Sequence, residues 1–252
     1  MSSVFFSGSI SIKSLPERIQ ISIDQIKEIG QYNILVGDAS GFDILLQEYC
    51  RKINFSNVTV YSISAVPRNY IDGFKLINVA VPDDIKGERK RQTLKDERMT
   101  LDSDISFVVW DEKSTGSYNN IVRALRNGKK VRVFSTKLEL PINEVTEENI
   151  TRIYRESNGL TATDLLNLLY ENGVKEFDDV KKLNAYLVSN RYILKGVEGN
   201  DSIYKTLNDD FSFNVLHRGK HSGIRFRPDF VTTLIAKLKA KNNKNGYGGM
   251  RG

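Results

Sequence analysis

The chain has one cysteine, one tryptophan, two histidines and five prolines in 252 residues, and no apolar run longer than a strand. Each scarcity excludes something. A single thiol, Cys50, rules out a disulfide framework and points to a reducing, cytoplasmic setting. Cys50 sits in an apolar helical pattern beside Leu45 and Leu46, which reads as a buried thiol. Without a long apolar stretch no membrane helix is expected. The first residues, MSSVFFSGS, lack the basic start and apolar core of a secretory leader. The histidines, His217 and His221, are separated by Gly219 and have no acidic or thiol partner nearby, so no metal site is expected. Charge of one sign is also missing: residues 1–140 carry 20 Lys+Arg against 17 Asp+Glu, and residues 141–252 carry 17 against 14.

What is present is a repeated alternation. VFFSG (4–8), NILVG (33–37), VTVYSI (58–63), ISFVVWD (105–111) and the run 130–135 are short Val, Ile and Phe-rich strands without in/out alternation. Helical patterns separate them: one begins at Ser14-Leu15-Pro16-Glu17 with the residues of a capping box, one runs from about Asp43 to Ile53, a charged one spans 88–101, and one covers Tyr118 to Asn127. Strands buried on both faces and joined by helices predict a parallel, Rossmann-like sheet with helices on both faces. In such sheets ligands sit outside the carboxyl ends of the strands.

Three loops at those ends are rich in small and polar residues. They are Ser7-Gly8-Ser9, Gly37-Asp38-Ala39-Ser40-Gly41-Phe42-Asp43, and Asp111 followed by Ser114-Thr115-Gly116-Ser117. A turn of this kind opening a helix gathers backbone N–H groups and hydroxyls, a seat for a phosphate or carboxylate. Asp38, Asp43 and Asp111 are candidates for ribose hydroxyls, Arg98 for a phosphate.

After Pro141 the pattern changes. Residues 159–164 cap a helix carrying Leu165, Leu166, Leu168 and Leu169; a second helix spans about 177–189, and 191–194 reads as a short strand. This predicts a smaller α+β domain over 141–240, similar to a winged helix, with 241–252 as a flexible basic tail. From His217 onward nine Lys+Arg face one acid, Asp229. Arg218, Lys220, Arg225 and Arg227 are therefore candidates for nucleic-acid phosphates.

Taken together, Ser7-Gly8-Ser9, the Gly-Asp-x-x-Gly-x-Asp element at 37–43, Arg98-Met99 and Trp110 to Ser117 followed by Asn119-Asn120-Ile121 resemble the SLOG superfamily. That superfamily comprises Rossmann-like nucleotide-binding domains and includes the LOG-type phosphoribohydrolases, the DNA-processing protein A family and sensor domains of some bacterial defence proteins. The resemblance covers about residues 1–137. It implies a nucleotide or nucleotide-derived ligand at the three loops, and a homo-oligomer. LOG enzymes carry Pro-Gly-Gly-x-Gly-Thr-x-x-Glu, whereas the corresponding loop here reads STGSYNN, without the glutamate expected to assist glycosidic cleavage.

Three readings follow. In the first, the cleft holds a nucleotide-type ligand and the C-terminal domain reports it to DNA or a protein. In the second, the chain is an enzyme cleaving or transferring at the N-glycosidic bond of a nucleotide. In the third, it is a nucleic-acid-binding protein using its basic C-terminus. No cofactor is implied by any of them.

Overall fold

The computed structural model describes residues 1–198, 201–217 and 219–246. No helix among them is long and apolar enough to cross a membrane. The chain divides into two compact units, Met1–Ile153 and Tyr154–Gly252. Divided there, the sequence carries 21 Lys+Arg against 20 Asp+Glu in the first unit and 16 against 11 in the second. The positive balance thus belongs to the second unit, which a cut at residue 140 hides.

The first unit is an α/β Rossmann-like layer. Its elements are β1 (Ser2–Gly8), α1 (Glu17–Ile29), β2 (Tyr32–Val36), α2 (Phe42–Lys52), β3 (Val58–Ser62), β4 (Lys75–Asn78), α3 (Glu88–Asp102), β5 (Ile105–Trp110), α4 (Thr115–Arg126), β6 (Lys130–Ser135) and β7 (Leu140–Pro141). The strands form one sheet in the order β4-β3-β2-β1-β5-β6-β7, parallel except for the β6–β7 pair. From β1 the chain builds outward to β4, then returns to β1's other side with β5. The β1/β5 boundary is therefore where the strand order reverses.

Both sheet faces are buried, which explains the missing alternation. Val4, Phe6, Ile34, Val36, Val58 and Val60 pack with Ile19 and Ile23 of α1 and Phe42, Leu46 and Cys50 of α2. The intervening Phe5, Leu35 and Tyr61 pack with Met99 of α3. Successive side chains point to opposite faces of a strand. Each fully buried Phe, Ile or Leu contributes about 1.5–3 kcal/mol of transfer free energy.

Two local readings change. Helix α1 begins at Glu17 with Pro16 as its N-cap and no side-chain cap bond, so Ser14 does not cap it. Pro16 lies in extended backbone, and its carbonyl accepts the N–H groups of Ile19 and Gln20. Helix α4 starts at Thr115, earlier than the apolar pattern indicates, because Ser114 caps it by accepting the Ser117 N–H.

Helix α5 (Glu147–Asn158) spans the unit boundary. The second unit then contains α6 (Ala162–Glu171), α7 (Val180–Ser189), β8 (Ile193–Glu198), β9 (Asp201–Thr206), β10 (Ser212–His217), β11 (Lys220–Phe226) and α8 (Pro228–Gly246). Thr161 and Asp164 close a capping box on α6, each side chain accepting the other's backbone N–H at 2.9 Å. β8–β9 and β10–β11 are antiparallel hairpins, and Leu160 pairs with Phe226. Leu165, Leu169, Leu183, Leu187, Phe226 and Phe230 belong to one core. Helix α8 continues to Gly246, so residues 241–246 are helical rather than tail. The histidines lie on β-strands, not on a helix face.

Candidate functional site

The strand ends at the β1/β5 reversal enclose a cleft of about 360 Å³. All three small-residue loops reach it: Ser7 and Gly8 at the end of β1, Gly37 and Asp43 after β2, and Ser114, Gly116 and Ser117 at the start of α4. Helix α3 supplies the remaining wall with Arg89, Gln92, Lys95, Asp96 and Met99.

The glycines have different reasons to be glycine. A Cβ on Gly8 would stand 2.4 Å from Phe42 Cγ, so this residue lets α2 close on β1 rather than letting a ligand approach. A Cβ on Gly37 would stand 2.4 Å from Asp43 Oδ2 and 2.9 Å from Lys95 Nζ. Only at Gly116 would a side chain enter open space, with nothing within 4 Å, at a position that lines the cleft.

Charge is buried on the floor. Asp38 is 1% exposed and accepts from Ser62 Oγ (2.8 Å), Arg68 Nη2 (2.7 Å), the Arg68 N–H (3.2 Å) and Lys95 Nζ (2.8 Å). Burial alone would raise its pKa; the Arg68, Lys95 and Ser62 donors outweigh that and hold the carboxyl well below the usual range. Lys95 is 2% exposed, and its ion pair is with Asp38. Asp43 is also buried, but among the described residues its Oδ2 accepts only the Ala39 N–H, at 3.1 Å. Burial raises it to about 6, against the pull of Lys95 and Ala39 and with help from Asp96 and Asp38. Asp96 is raised as well, by burial first, against Lys95, Arg123 and a hydrogen bond from Asn120. Asn120 in turn accepts from Arg123 at 2.6 Å. Buried Gln47 locks the loop above, donating to the Gly37 carbonyl and accepting the Ile71 N–H, both at 3.1 Å.

At the other side of the cleft stands the N-terminus of α4, whose dipole and first N–H groups favour an anion. Ser117 Oγ lies 3.1 Å from Ser114 Oγ and 3.4 Å from Ser9 Oγ. Ser7, 6% exposed, lines the same cleft, and its hydroxyl is buried without a hydrogen-bond partner among the described residues. A buried hydroxyl left unpaired costs about 1–3 kcal/mol, and a bound polar ligand would remove that cost.

Several residues expected at the site lie elsewhere. Arg98 does not line the cleft; it points outward from α3 and pairs with Asp102 at 2.7 Å, its side chain 59% exposed. Asp111 holds the turn before α4, accepting the Lys113 and Ser114 N–H groups and the Ser11 hydroxyl. Burial would raise it, yet those donors lower its pKa. Asp38 lies beneath the lining, and Ser9, Ser40, Gly41 and Thr115 are also outside it. Of the three carboxylates weighed for sugar chemistry, Asp43 alone faces the cleft. In the second unit Lys220 and Arg227 are exposed on or beside β11, and Arg227 lies over the Phe213 ring at 5.3 Å. Arg225 is half-buried with its Cβ against Gly159. Arg218 lies outside the described residues.

Sequence reasoning passed over Arg68, Arg89, Gln92, Lys95 and Asp96. One signal was available for the four on α3. A crossover helix in a doubly covered sheet must bury one face, and 88–102 has too few apolar residues to make that face apolar. Charged side chains therefore have to line it. Arg68, on an irregular loop, gave no such signal.

No protein-family model and no curated protein matches the chain. Among solved structures it is similar to DNA processing protein A from Helicobacter pylori, described for its single-stranded DNA binding mode. The likeness has a TM-score of 0.43 at 15% identity over 75% of this chain and 81% of that one. It is a loose likeness.

Proposed function

We propose that the cleft binds a nucleotide or nucleotide-derived ligand, with its phosphate at the N-terminus of α4 and beside Arg89, and that the second unit carries the bound state to a partner. The observation that carries this is the unpaired, buried hydroxyl of Ser7, which lines the same cleft as a helix N-terminus at the strand-order reversal. Exposed Arg89 adds a cation at the mouth, and Phe5, Ile10 and Met99 add apolar surface for a base. Loss of the LOG-type glutamate favours binding over glycosidic cleavage.

The test is thermal stabilisation by AMP, GMP, CMP and UMP, each measured on the native chain and on Gly116→Val. We expect at least one nucleotide to raise the melting temperature of the native chain and to leave the variant unmoved. Stabilisation of equal size in both would remove the phosphate from α4.

A second reading concerns the second unit, in the style of a winged helix touching nucleic acid. Its support is the charge balance of that unit and the exposure of Lys220 and Arg227. Affinity for single- or double-stranded DNA should fall steeply with salt and fall again in Lys220→Ala/Arg227→Ala. DNA affinity unchanged by both would dismiss it.

A further inference from the structure

Resting on the nucleotide reading of the cleft, we infer that Asp43 meets the ligand as a neutral carboxylic acid and donates a hydrogen bond to one of the ligand's anionic or carbonyl oxygens. This makes it a positioning residue that selects for an acceptor, rather than a carboxylate that accepts from sugar hydroxyls.

The geometry supplies the reason. Two aspartates follow β2, and the two cations that act on both, Lys95 and Arg68, are committed to one of them. Asp38 takes the Lys95 ammonium and the Arg68 guanidinium. Among the described residues Asp43 has no ion pair and its Oδ1 has no hydrogen-bond partner. That oxygen belongs to a residue lining the cleft, where a proton on it would be free to reach a ligand. The groups facing Asp43 come from several elements: Lys95 and Asp96 of α3, Asp38 after β2, and Arg68 after β3. Arg123 of α4 acts at one remove, on Asp96 through Asn120. Two of these are carboxylates, and both cations nearest to it are held by Asp38. An anion entering the cleft adds further negative charge. A proton drawn from solvent forms an O–H bond on Asp43 Oδ1 and converts that repulsion into a donated hydrogen bond, and no bond of the ligand is made or broken.

The free carboxyl already titrates close to neutrality, raised to about 6. Linkage then fixes the sign: above that value binding must take up a proton, and affinity falls by up to tenfold for each pH unit gained. Nucleotide phosphates titrate in the same range, so the native chain is compared with Asp43→Asn, which shares the ligand's own titration. Asparagine is permanently neutral, can still accept the Ala39 N–H, and offers an N–H donor where the acid would offer O–H.

The experiment is titration calorimetry with AMP, GMP, CMP and UMP at about pH 8 and about pH 6, in two buffers of different ionisation heat. We expect the native chain to take up close to one proton more than Asp43→Asn at the higher pH. There the variant should bind up to about a hundredfold more tightly than the native chain, about tenfold for each of the two pH units above the free value, and the two should converge at the lower pH. Equal proton uptake in the two chains overturns the inference, as does weaker binding by Asp43→Asn at both pH values, the mark of a carboxylate acceptor. Extra uptake that persists in Asp43→Asn and vanishes in Asp96→Asn moves the acid to Asp96 and overturns it too. If Asp43→Asn fails to fold, proton uptake by the native chain set against Asp96→Asn still decides. Absence of binding by all four nucleotides removes the nucleotide reading itself, and this inference falls with it.

Discussion

The two units treat charge in opposite ways. The first buries the charged Asp38, Asp43, Lys95 and Glu112. In the second, the buried polar residues among those described are Asn184 and Ser212, and its ion pairs, Lys182 with Asp178 and Lys241 with Glu176, lie at the surface. Yet the second unit holds most of the net positive charge. Taking charge out of water is costly, and a fold tolerates it where partners are exact and where a function uses the field. The comparison sets the ligand chemistry proposed above against the first unit's buried charge, and the proposed attraction to nucleic acid against the second unit's net charge.

The largest expected effect tests whether the buried charges are a paired set. Asp38→Asn leaves Lys95 buried without its counter-ion and should cost about 3–5 kcal/mol in urea unfolding. Lys241→Met, which removes an exposed pair of the second unit, should not move the unfolding midpoint. Acid should discriminate as well. The folded pKa of Asp38 is depressed, so its contribution is full above the unfolded value of 3.8 and is lost as pH falls below it. A small loss in Asp38→Asn would mean that the floor is wetter than the ion pairs indicate.

Asp43 should show the opposite pH dependence. Its folded pKa is raised from 3.8 to about 6, so between these values the folded state holds the extra proton. Stability falls as pH rises through that window, and the penalty is complete above about 6. It amounts to roughly 3 kcal/mol at most. Asp43→Asn should therefore be more stable than the native chain at about pH 8 and equal to it near pH 4, by thermal or urea unfolding. A variant destabilised at both would show that Asp43 holds the loop together as an anion.

Smaller effects separate packing from binding. Gly8→Val drives a side chain into Phe42 and should cost about 1–3 kcal/mol or more. Gly116→Val meets open space and should cost under about 1 kcal/mol while abolishing nucleotide-dependent stabilisation. The reverse order of stabilities would mean that the two loops have been assigned each other's roles.

The strands, their parallel pairing and the three loops were legible because buried β-strands and small-residue turns depend on local composition. The division of labour among the aspartates was not. Asp38, Asp43 and Asp111 are the same residue type at loop positions, and only tertiary donors from Arg68, Lys95 and Ser11 distinguish them. Gly8 was legible as a glycine that something must approach, but whether Phe42 or a ligand fills the space depends on the angle of α2. Edge strands β4 and β7 were missed because an exposed edge needs no apolar run.

The smallest expected effect concerns two cations on one helix. Lys95 and Arg98 are three residues apart on α3 and so neighbours on the helix surface, yet one side chain reaches the floor of the cleft and the other turns toward solvent. Sequence alone favoured Arg98 because it precedes Met99 and the fourth predicted strand. The structure gives Arg98 an exposed partner one turn away, Asp102, whose carboxylate also accepts from Tyr61. Water and salt screen such a pair. Arg98→Ala should thus leave both the unfolding midpoint and the nucleotide-dependent stabilisation where they were, while Lys95→Met loses both. If Arg98→Ala weakens stabilisation by a nucleotide, the ligand extends over the outer face of α3, and the contrast between buried and exposed charge no longer marks the site.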